Sequence, residues 1–534
     1  MTVGDLVGRL EAEGNLVGVS SAGAPGGAAA GWDPKRVVTG IEQDSREVGP
    51  ANVFVAIQGY ESDGVRYAPA AVAAGAAAVV VAEGAELPEL PVTGRKPPVV
   101  VRVRDPRAAM AQLAAEYYGN PGRGLAACVG LTGTNGKTTT SYIVRGVLGE
   151  GLGYPKVGVV GTIAYWVGET EYPAPHTTPD AINMQRLLCG MRVQGVQALV
   201  SEVSSHALAL KRVDGVDFDV GVFTNLTRDH LDFHKTFEDY RAAKGRLFAK
   251  LTDPRRHVGV VNLDDPEGPW FASQVGPGVP VLSFAIDNQD ADVHPTSLEL
   301  SLFETKLTVR TPQGSVDLSS GMRGRANVYN ILAGVTVGLA KGVPLEQIKL
   351  GVAACKAVPG RFESVDMDQK FAVIVDYAHT PDALERLLLT AREIGARRLI
   401  CVVGCGGDRD TGKRPLMGGI ASRLADYAVI TSDNPRTESP AKILEDIKEG
   451  MPGGGDPAAT PDNCAVPHVV EDRAQAIRLA ISLAGDGDAV VIAGKGHEDY
   501  QIIGKDKFDF DDRIVAALAL QELGYRNRFP SYYK

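Results

Sequence analysis

The fold is decided by the stretch Gly130-Leu131-Thr132-Gly133-Thr134-Asn135-Gly136-Lys137-Thr138-Thr139, which follows an apolar run at residues 125–129. A buried strand, a glycine-rich turn and a helix, in that order, place backbone N–H groups around a polyphosphate. In such a loop Lys137 reaches the terminal phosphates and the Thr138 hydroxyl holds a magnesium ion. The strict pattern has glycine where Leu131 stands, but Gly-Lys-Thr after a strand still predicts nucleotide binding.

The composition is that of a globular protein with several domains. The chain has 534 residues, of which 44% are hydrophobic and 22% charged, and this length predicts about three domains. The net charge of −10 argues against a nucleic-acid partner, because nucleic-acid binding needs a basic surface. No apolar run reaches the roughly 18 residues of a membrane span, and residues 1–10 lack the apolar segment of an export signal. Six cysteines without paired spacing predict buried thiols in a reducing cytoplasm.

Strand-like runs alternate with helical stretches along most of the chain. This alternation predicts an α/β protein with mostly parallel sheets, whose ligands lie at the carboxyl ends of the strands. Breaks rich in proline and glycine predict domains at residues 1–122, 123–357 and 358–534. Residues 20–31 and 451–463, rich in small and turn-forming residues, are predicted to be loops. The predicted strands lie at residues 53–57, 78–82, 157–160, 198–203, 220–223, 258–261, 371–375, 399–403, 428–431 and 489–493.

Three polar groups in the middle domain are candidates for chemistry beside the phosphate loop. Glu202 stands at the end of a strand-like run, where a carboxylate can coordinate magnesium. His230 follows Asp229 and is a possible metal ligand, and Lys244 lies on a predicted helix. Each also has an ordinary structural interpretation, namely an exposed loop acid, a hydrogen-bonded histidine and a solvated helix lysine. The residues alone leave both interpretations open.

The motifs, in their order along the chain, resemble those of the Mur ligases, the ATP-dependent amide-forming enzymes of peptidoglycan precursor synthesis. The resemblance spans nearly the whole chain, and its C-terminal motifs are similar to those of the members that add the third amino acid. It implies a small N-terminal α/β nucleotide-sugar domain, a central P-loop ATPase-type parallel sheet, a C-terminal Rossmann-like domain and a monomer. The motifs are Asp44-Ser45-Arg46, Gly133-Thr134-Asn135-Gly136-Lys137-Thr138, Glu202-Val203-Ser204-Ser205-His206, Thr224-Asn225-Leu226-Thr227-Arg228-Asp229-His230, Ala242-Ala243-Lys244, Asp376-Tyr377-Ala378-His379-Thr380-Pro381, Gly404-Cys405-Gly406-Gly407-Asp408-Arg409-Asp410, Asp433-Asn434-Pro435-Arg436 and Gly494-Lys495-Gly496-His497-Glu498.

The resemblance also implies a mechanism. ATP phosphorylates a carboxylate of the substrate, an amine attacks the resulting acyl phosphate, and phosphate leaves. The implied catalytic residues are Lys137, Glu202, His230 and Lys244, and the implied Mg²⁺ ligands are Thr138, Glu202, His230 and Lys244 as a carbamate. The implied ATP-binding residues are Gly133, Thr134, Asn135, Gly136, Lys137, Thr138, Thr139, Asn262, Asp264, Asn330, Arg361 and Asp376.

For the other two substrates, the resemblance implies UDP-N-acetylmuramoyl-L-alanyl-D-glutamate and meso-diaminopimelate. Diaminopimelate differs from L-lysine by a second carboxylate, and a guanidinium reads a carboxylate through two parallel hydrogen bonds that lysine cannot copy. Asp-Asn-Pro-Arg at residues 433–436 therefore favours diaminopimelate. The implied ligands of the nucleotide precursor are Ser45, Arg46, Gly59, Thr177, Thr178, Ser204 and Arg212, and those of diaminopimelate are Arg409, Asp433, Asn434, Pro435, Arg436, Gly494 and Glu498.

Several alternatives remain beside this hypothesis. The same ligase could add L-lysine, or the chain could be a non-catalytic scaffold of the kind found in plastid transcription assemblies. A folylpolyglutamate synthetase shares the phosphate loop but lacks the Asp-Asn-Pro-Arg context, and a GTPase is disfavoured because no Asn-Lys-x-Asp motif occurs.

Overall fold

A computed structural model describes residues 1–22, 32–59, 62–91, 97–153, 156–459, 461 and 464–526. Its backbone contacts group the chain into two compact units. The first contains residues 1–137, 148–283 and 340–342, and the second contains residues 138–147, 284–339 and 343–534. Most of the loop predicted at residues 20–31 lies outside the described residues. In the described part of the chain, no helix is long and apolar enough to cross a membrane.

The first unit begins with a five-stranded sheet in the order β1-β5-β4-β3-β2. Strands β2 to β5 are parallel and β1 is antiparallel to β5. The inner strands are rich in valine and buried, as expected for a parallel sheet covered on both faces. The elements are α1 (Val3–Ala12), β1 (Leu16–Ser21), β2 (Gly40–Glu42), β3 (Asn52–Val55), α2 (Ala68–Ala73), β4 (Ala78–Ala82), β5 (Val99–Val103) and α3 (Pro106–Tyr117).

An eight-stranded sheet follows, in the order β13-β12-β11-β6-β10-β7-β8-β9. The strands from β12 to β7 are parallel, so the carboxyl ends of β6, β10 and β11 meet at one edge. Strands β8 and β9 form an antiparallel hairpin. The elements are β6 (Ala127–Thr132), α4 (Lys137–Leu152), β7 (Val157–Val160), β8 (Ala164–Val167), β9 (Thr170–Pro173), α5 (Ala181–Val193), β10 (Ala198–Glu202), α6 (Ser205–Ala209), β11 (Val220–Phe223), α7 (Leu231–His234), α8 (Phe237–Ala249), β12 (Val258–Asn262), α9 (Gly268–Ala272) and β13 (Val281–Phe284).

The second unit contains an antiparallel meander, a pair of helices and a six-stranded sheet. The meander and helices are β14 (His294–Leu300), β15 (Thr305–Thr311), β16 (Gly314–Ser320), α10 (Arg325–Ala340) and α11 (Leu345–Ala354). The sheet has the order β17-β18-β22-β19-β20-β21 and is parallel from β18 to β21. Its elements are β17 (Glu363–Ser364), β18 (Ala372–Asp376), α12 (Pro381–Glu393), β19 (Leu399–Val403), α13 (Lys413–Leu424), β20 (Tyr427–Ile430), α14 (Pro440–Lys448), β21 (Val466–Val469), α15 (Arg473–Leu483), β22 (Ala489–Ala493), the hairpin β23 (Tyr500–Ile503) and β24 (Asp506–Asp509), and α16 (Asp512–Glu522).

The predicted α/β class is confirmed, and five of the predicted strands have the predicted bounds: β4, β7, β11, β19 and β22. The sequence reasoning missed the meander β14–β16 and the hairpins β8–β9 and β23–β24. These are antiparallel elements, outside the alternation of strand and helix on which the prediction relied. The domain boundaries at residues 122 and 357 are not tested by the two units and stay a prediction.

Candidate active site

The phosphate loop, residues 130–139, joins β6 to α4 at the carboxyl edge of the central sheet. Gly133 and Gly136 have φ values of 145° and 85°, a region that L side chains rarely adopt and glycine adopts readily. The Thr134 N–H donates to the carbonyl of Asn225, at 2.8 Å, which ties the loop to the segment after β11. The glycines therefore stand where the backbone requires them.

Two lysine side chains converge on this loop. Lys137 Nζ donates to the carbonyl oxygens of Gly133 and Thr134, both at 2.9 Å. Lys244 Nζ, from α8, donates to the same Gly133 carbonyl at 2.7 Å. Lys244 exposes only 1% of its surface, so it is not a solvated helix lysine. Burial, and then repulsion from Lys137, lowers the pKa of Lys244 well below its ordinary value.

Glu202 ends β10 with a buried carboxylate that Thr162 orients. Its Oε1 accepts the Thr162 N–H at 2.9 Å, and its Oε2 accepts the Thr162 hydroxyl at 3.1 Å. The Thr178 hydroxyl donates to the Glu202 carbonyl at 2.8 Å and accepts the Ser204 N–H at 3.2 Å. The structure thus brings one predicted metal ligand and four predicted precursor ligands into a single hydrogen-bonded cluster: Glu202, Thr177, Thr178, Ser204 and Arg212.

Three histidine rings lie side by side next to α8. The ring centroid of His206 is 4.8 Å from that of His230 and 5.6 Å from that of His234. Burial, and then the neighbouring His206, lowers the pKa of His234 to about 4. Among the described residues, no group of three or more His, Cys, Asp or Glu side chains is arranged to hold a metal ion. The predicted ligand set relies instead on a hydroxyl, one carboxylate, one imidazole and a carbamate.

The predicted nucleotide-sugar residues follow neighbouring parallel strands in the first sheet. Ser45 and Arg46 come after β2, and Gly59 comes after β3. Arg46 is 85% exposed and pairs with Asp44 at 2.5 Å, and its hydrogen bonds lower the pKa of Asp44 to about 2. The structure therefore places an exposed guanidinium at the carboxyl edge of this sheet.

Two of the predicted adenine-side amides hold local structure. In the first unit, Asn262 Nδ2 donates to the Thr224 carbonyl at 2.9 Å and its Oδ1 accepts the Asp264 N–H at 3.0 Å. In the second unit, Asn330 Nδ2 donates to Asn327 Oδ1 at 3.0 Å, and its Oδ1 accepts the Thr140 hydroxyl at 3.1 Å. Their role toward ATP stays a prediction.

Arg361 and Asp376 lie together at the carboxyl end of β18. The Asp376 carboxylate accepts the N–H groups of Phe362 at 2.7 Å and Ala378 at 2.8 Å. Burial raises the pKa of Asp376, an effect that the Arg361 charge opposes. The Arg361 guanidinium lies over the Tyr377 ring, 4.9 Å from its centroid.

The turn at residues 433–436 is clamped by hairpin β23–β24. The Gln501 amide donates to the Asp433 carbonyl at 2.7 Å, and the Ile502 N–H donates to Asn434 Oδ1 at 3.0 Å. The Arg436 N–H donates in turn to the Ile502 carbonyl at 3.0 Å. Arg436 has a φ of 50°, which is uncommon for a residue with a side chain, so these bonds stabilise a disfavoured conformation.

The Arg436 side chain points along the glycine-rich loop after β19. Its Nη1 donates to the Gly407 carbonyl at 2.8 Å. A Cβ at Gly406 would lie 2.9 Å from Arg436 Nη1 and 3.9 Å from Arg409 Cγ, so glycine leaves room for both side chains. Across the turn, Asn434 Nδ2 donates to Glu498 Oε2 at 3.0 Å. We call the residues Arg409, 433–436 and 494–498, most of which are predicted to bind the amino acid, the amino-acid pocket.

Comparison with known proteins shows to which family the chain belongs. Profiles described as "Mur ligase family, catalytic domain", "Mur ligase middle domain" and "Mur ligase, glutamate ligase domain" match residues 37–118, 131–338 and 360–496. The UDP-N-acetylmuramoyl-L-alanyl-D-glutamate–2,6-diaminopimelate ligase of Geobacter metallireducens is 45% identical over 502 residues, which cover 92% of this chain and 96% of the relative. The chain belongs to the Mur ligase family. The predicted enzyme class, an ATP-dependent amide-forming ligase, is confirmed.

Solved structures agree with this assignment. One described as a UDP-N-acetylmuramoyl-L-alanyl-D-glutamate–2,6-diaminopimelate ligase has a TM-score of 0.67 and 32% identity, and the match covers 93% of this Mur ligase and 97% of that chain. The MurF ligase of Thermotoga maritima, solved in complex with ADP, has a TM-score of 0.54 at 18% identity, which shows a shared fold alone.

The sequence reasoning missed three residues that the structure of this Mur ligase places among the predicted ones. Thr162 orients Glu202, and Lys495 is enclosed in the amino-acid pocket. His234 contacts His206, which in turn contacts the predicted ligand His230. Lys495 lies within the motif at residues 494–498 and Thr162 follows a predicted strand, so the sequence contained a signal for both residues. His234 had only its spacing of four residues from His230.

Proposed function

We propose that this Mur ligase uses ATP to join meso-diaminopimelate to UDP-N-acetylmuramoyl-L-alanyl-D-glutamate. The observation that carries the proposal is the amino-acid pocket, in which the Arg436 guanidinium is held by the Gly407 carbonyl and the Glu498 carboxylate by the Asn434 amide. A guanidinium and a carboxylate so placed suit the carboxylate and the ammonium at the far end of diaminopimelate. The names of the Geobacter metallireducens relative and of the solved structure support it.

The reaction transfers the γ-phosphoryl group of ATP to the D-glutamate carboxylate, which gives an acyl phosphate and ADP. The free amine of diaminopimelate then attacks the carbonyl carbon, the tetrahedral intermediate expels phosphate, and the amine proton passes to solvent. Negative charge builds up on the oxygens of the transferring group, and we propose that the Lys137 ammonium in the phosphate loop stabilises it.

The residues present fit a magnesium ion, which we propose is bound by Thr138, Glu202, His230 and a carbamylated Lys244. Mg²⁺ prefers oxygen ligands, and the Glu202 carboxylate is already fixed by Thr162. A lysine reacts with carbon dioxide only as the neutral amine, and the lowered pKa of Lys244 favours that form. When bound, the metal neutralises charge on the transferring phosphoryl group.

The remaining ligands that we propose are those that the Mur ligase motifs imply. For the nucleotide precursor we propose the exposed Arg46 with Ser45 and Gly59, and the cluster around Thr178. For diaminopimelate we propose that Arg436 and Asn434 bind the distal carboxylate. We propose that Glu498 and the Gly494 carbonyl bind the distal ammonium, and that Arg409 binds the carboxylate beside the reacting amine. For ATP we propose the phosphate loop with Asn262, Asp264, Asn330, Arg361 and Asp376.

The test measures phosphate release with ATP and UDP-N-acetylmuramoyl-L-alanyl-D-glutamate, comparing meso-diaminopimelate with L-lysine. We expect release with diaminopimelate and at least a hundred-fold lower kcat/KM with lysine, because lysine leaves the Arg436 guanidinium without its carboxylate. Lys137→Ala is the control and should abolish release while the protein stays folded.

The other possible results of this assay distinguish the alternative functions. Release with lysine alone would keep the ligase chemistry and overturn the assignment of the pocket. No release with either amino acid would favour a non-catalytic scaffold. We further propose that the protein is a cytoplasmic monomer, which size-exclusion chromatography with light scattering and cell fractionation would test.

A further inference from the structure

A lysine that the proposed chemistry does not use lies at the centre of the amino-acid pocket. The Lys495 side chain has no exposed surface. Its Nζ lies 3.0 Å from Asn434 Oδ1, 3.4 Å from Asp433 Oδ1 and 3.5 Å from Glu498 Oε2. A buried ammonium is costly unless it is paired and hydrogen-bonded. Lys495 meets this requirement by linking three side chains of the pocket.

Lys495 and the Ile502 N–H together determine which way the Asn434 amide faces. Asn434 Oδ1 lies 3.0 Å from Lys495 Nζ and 3.0 Å from the Ile502 nitrogen, and both of these groups are donors. An amide NH₂ cannot accept a hydrogen bond, so the oxygen must face them. The Asn434 NH₂ is therefore turned toward Glu498 Oε2, at 3.0 Å.

Lys495 also sets the local charge. Asp433 and Glu498 bring two carboxylates to the same buried place, and Lys495 lies between them. Without its charge the two carboxylates would repel each other, and the Glu498 side chain would lose one of the contacts that hold its Oε2. Glycine at position 494 leaves room for these groups, since a Cβ there would lie 3.3 Å from Asp433 Oδ2.

We propose that Lys495 is a positioning residue for the incoming amino acid. It holds the Asn434 amide and the Glu498 carboxylate in the orientation in which one binds the distal carboxylate and the other the distal ammonium. Because its ammonium is fully enclosed, it acts through these two residues and not by contact with the substrate. This inference rests on the proposed function and deepens it by naming what sets the geometry of the specificity pocket.

The test compares Lys495→Met with Lys495→Gln in the phosphate-release assay. We expect Lys495→Met to raise the KM for meso-diaminopimelate about ten-fold or more, since it removes charge-assisted hydrogen bonds, while the KM for ATP changes less than about two-fold. Lys495→Gln should lie between Lys495→Met and the wild type, because a glutamine NH₂ can still donate to Asn434 Oδ1 but carries no charge.

Asp488→Asn is the matched control for lost stability. Asp488 is a fully buried carboxylate next to the six-stranded sheet, ion-paired with Arg397 at 3.1 Å and Arg398 at 2.6 Å. It directly precedes β22, whereas the pocket follows the carboxyl end of that strand. We expect Asp488→Asn to lower the melting temperature and leave the KM for diaminopimelate unchanged.

A double-mutant cycle with Asn434→Ala separates positioning from general packing. If Lys495 acts through Asn434, then Lys495→Gln should raise the KM much less in the Asn434→Ala background than in the wild type. Equal effects in both backgrounds would overturn the inference, and so would an unchanged KM in both Lys495→Met and Lys495→Gln. In either case, turnover of diaminopimelate by the wild type would still support the proposed function. A wild type that does not use diaminopimelate would overturn the proposed function itself. Should Lys495→Met fail to fold, Lys495→Gln carries the cycle.

Discussion

Replacing Arg436 by lysine changes the head group and leaves the backbone and the charge in place. Two hydrogen bonds hold the backbone of Arg436. Its N–H donates to the Ile502 carbonyl at 3.0 Å, and its carbonyl accepts the Gly504 N–H at 2.7 Å. Lysine at the same φ of 50° carries the same conformational cost, because both residues have a Cβ. Arg436→Lys therefore isolates the effect of the guanidinium.

The size of the effect follows from the hydrogen bonds of that guanidinium. Nη1 donates to the Gly407 carbonyl at 2.8 Å, and the rest of the planar group is left to bind a carboxylate through two parallel bonds. An ammonium can keep one strong bond to the carboxylate but not the parallel pair. One lost charge-assisted hydrogen bond is worth about 1.5–3 kcal/mol, which corresponds to a fall of about 10- to 150-fold in kcat/KM for meso-diaminopimelate.

The assay is phosphate release with the nucleotide precursor saturating and diaminopimelate varied. Gly406→Ala is the matched variant, since its Cβ would lie 2.9 Å from Arg436 Nη1 and must displace the guanidinium without removing it. We expect Gly406→Ala to lower kcat/KM for diaminopimelate less than Arg436→Lys does, with the KM for ATP unchanged in both. An Arg436→Lys variant with the wild-type kcat/KM for diaminopimelate would refute the reasoning.

Two further predictions concern the buried charges of the two units. Lys244→Ala should lose turnover and regain part of it with added acetate or propionate, which supply the missing carboxylate oxygens. Lys250→Ala is the control and should stay active. Lys250 lies at the end of α8, donates to the Asp214 carbonyl at 2.8 Å and also has a pKa that burial lowers. No rescue of Lys244→Ala would contradict the carbamate. For Asp488, burial alone would raise the pKa, but hydrogen bonds from Arg398, Gly485 and Arg397 hold it at about 2. Because this folded-state pKa lies below the ordinary value, the stabilisation is present above about pH 4 and is lost as the pH falls through about 2. In urea unfolding, Asp488→Asn should cost about 2 kcal/mol at pH 7, and its difference from the wild type should shrink as the pH falls from 4 to 2. A difference that stays constant over this range would contradict the assignment.

The parallel sheets were predictable because their strands are continuous apolar runs. Residues 78–82, 157–160 and 489–493 are rich in valine, isoleucine and alanine and are buried on both faces, and their predicted bounds are those of the structure. The meander β14–β16 carries a different signal. In β15, buried and more exposed residues alternate along Thr305–Thr311, which is the period-two pattern of a half-covered antiparallel strand. That pattern is present in the sequence, but a search for continuous apolar runs does not find it.

The candidate site was predictable only as far as its motifs reach. The phosphate loop could be read from its glycines and Lys137, since the chemistry of phosphate binding fixes those residues. The burial of Lys244 could not, because its helix position would suit a solvated lysine equally well. Only the structure brings the Gly133 carbonyl within 2.7 Å of its Nζ and excludes water from it.

The amino-acid pocket shows why even a complete set of motifs does not give a geometry. The turn at residues 433–436 and the segment at residues 494–498 are both visible in the sequence, but the hairpin β23–β24 that clamps the turn is mostly exposed and has no apolar pattern. It acts through the Gln501 side chain on the Asp433 carbonyl and through main-chain groups, the N–H of Ile502 on Asn434 and its carbonyl on Arg436. Every residue except proline has both main-chain groups, so these two contacts leave no mark in the sequence, and Gln501 belongs to none of the family motifs. In the function that we propose, specificity for the far end of the substrate comes from side chains that the sequence reveals, held in place largely by backbone bonds that only the folded chain specifies.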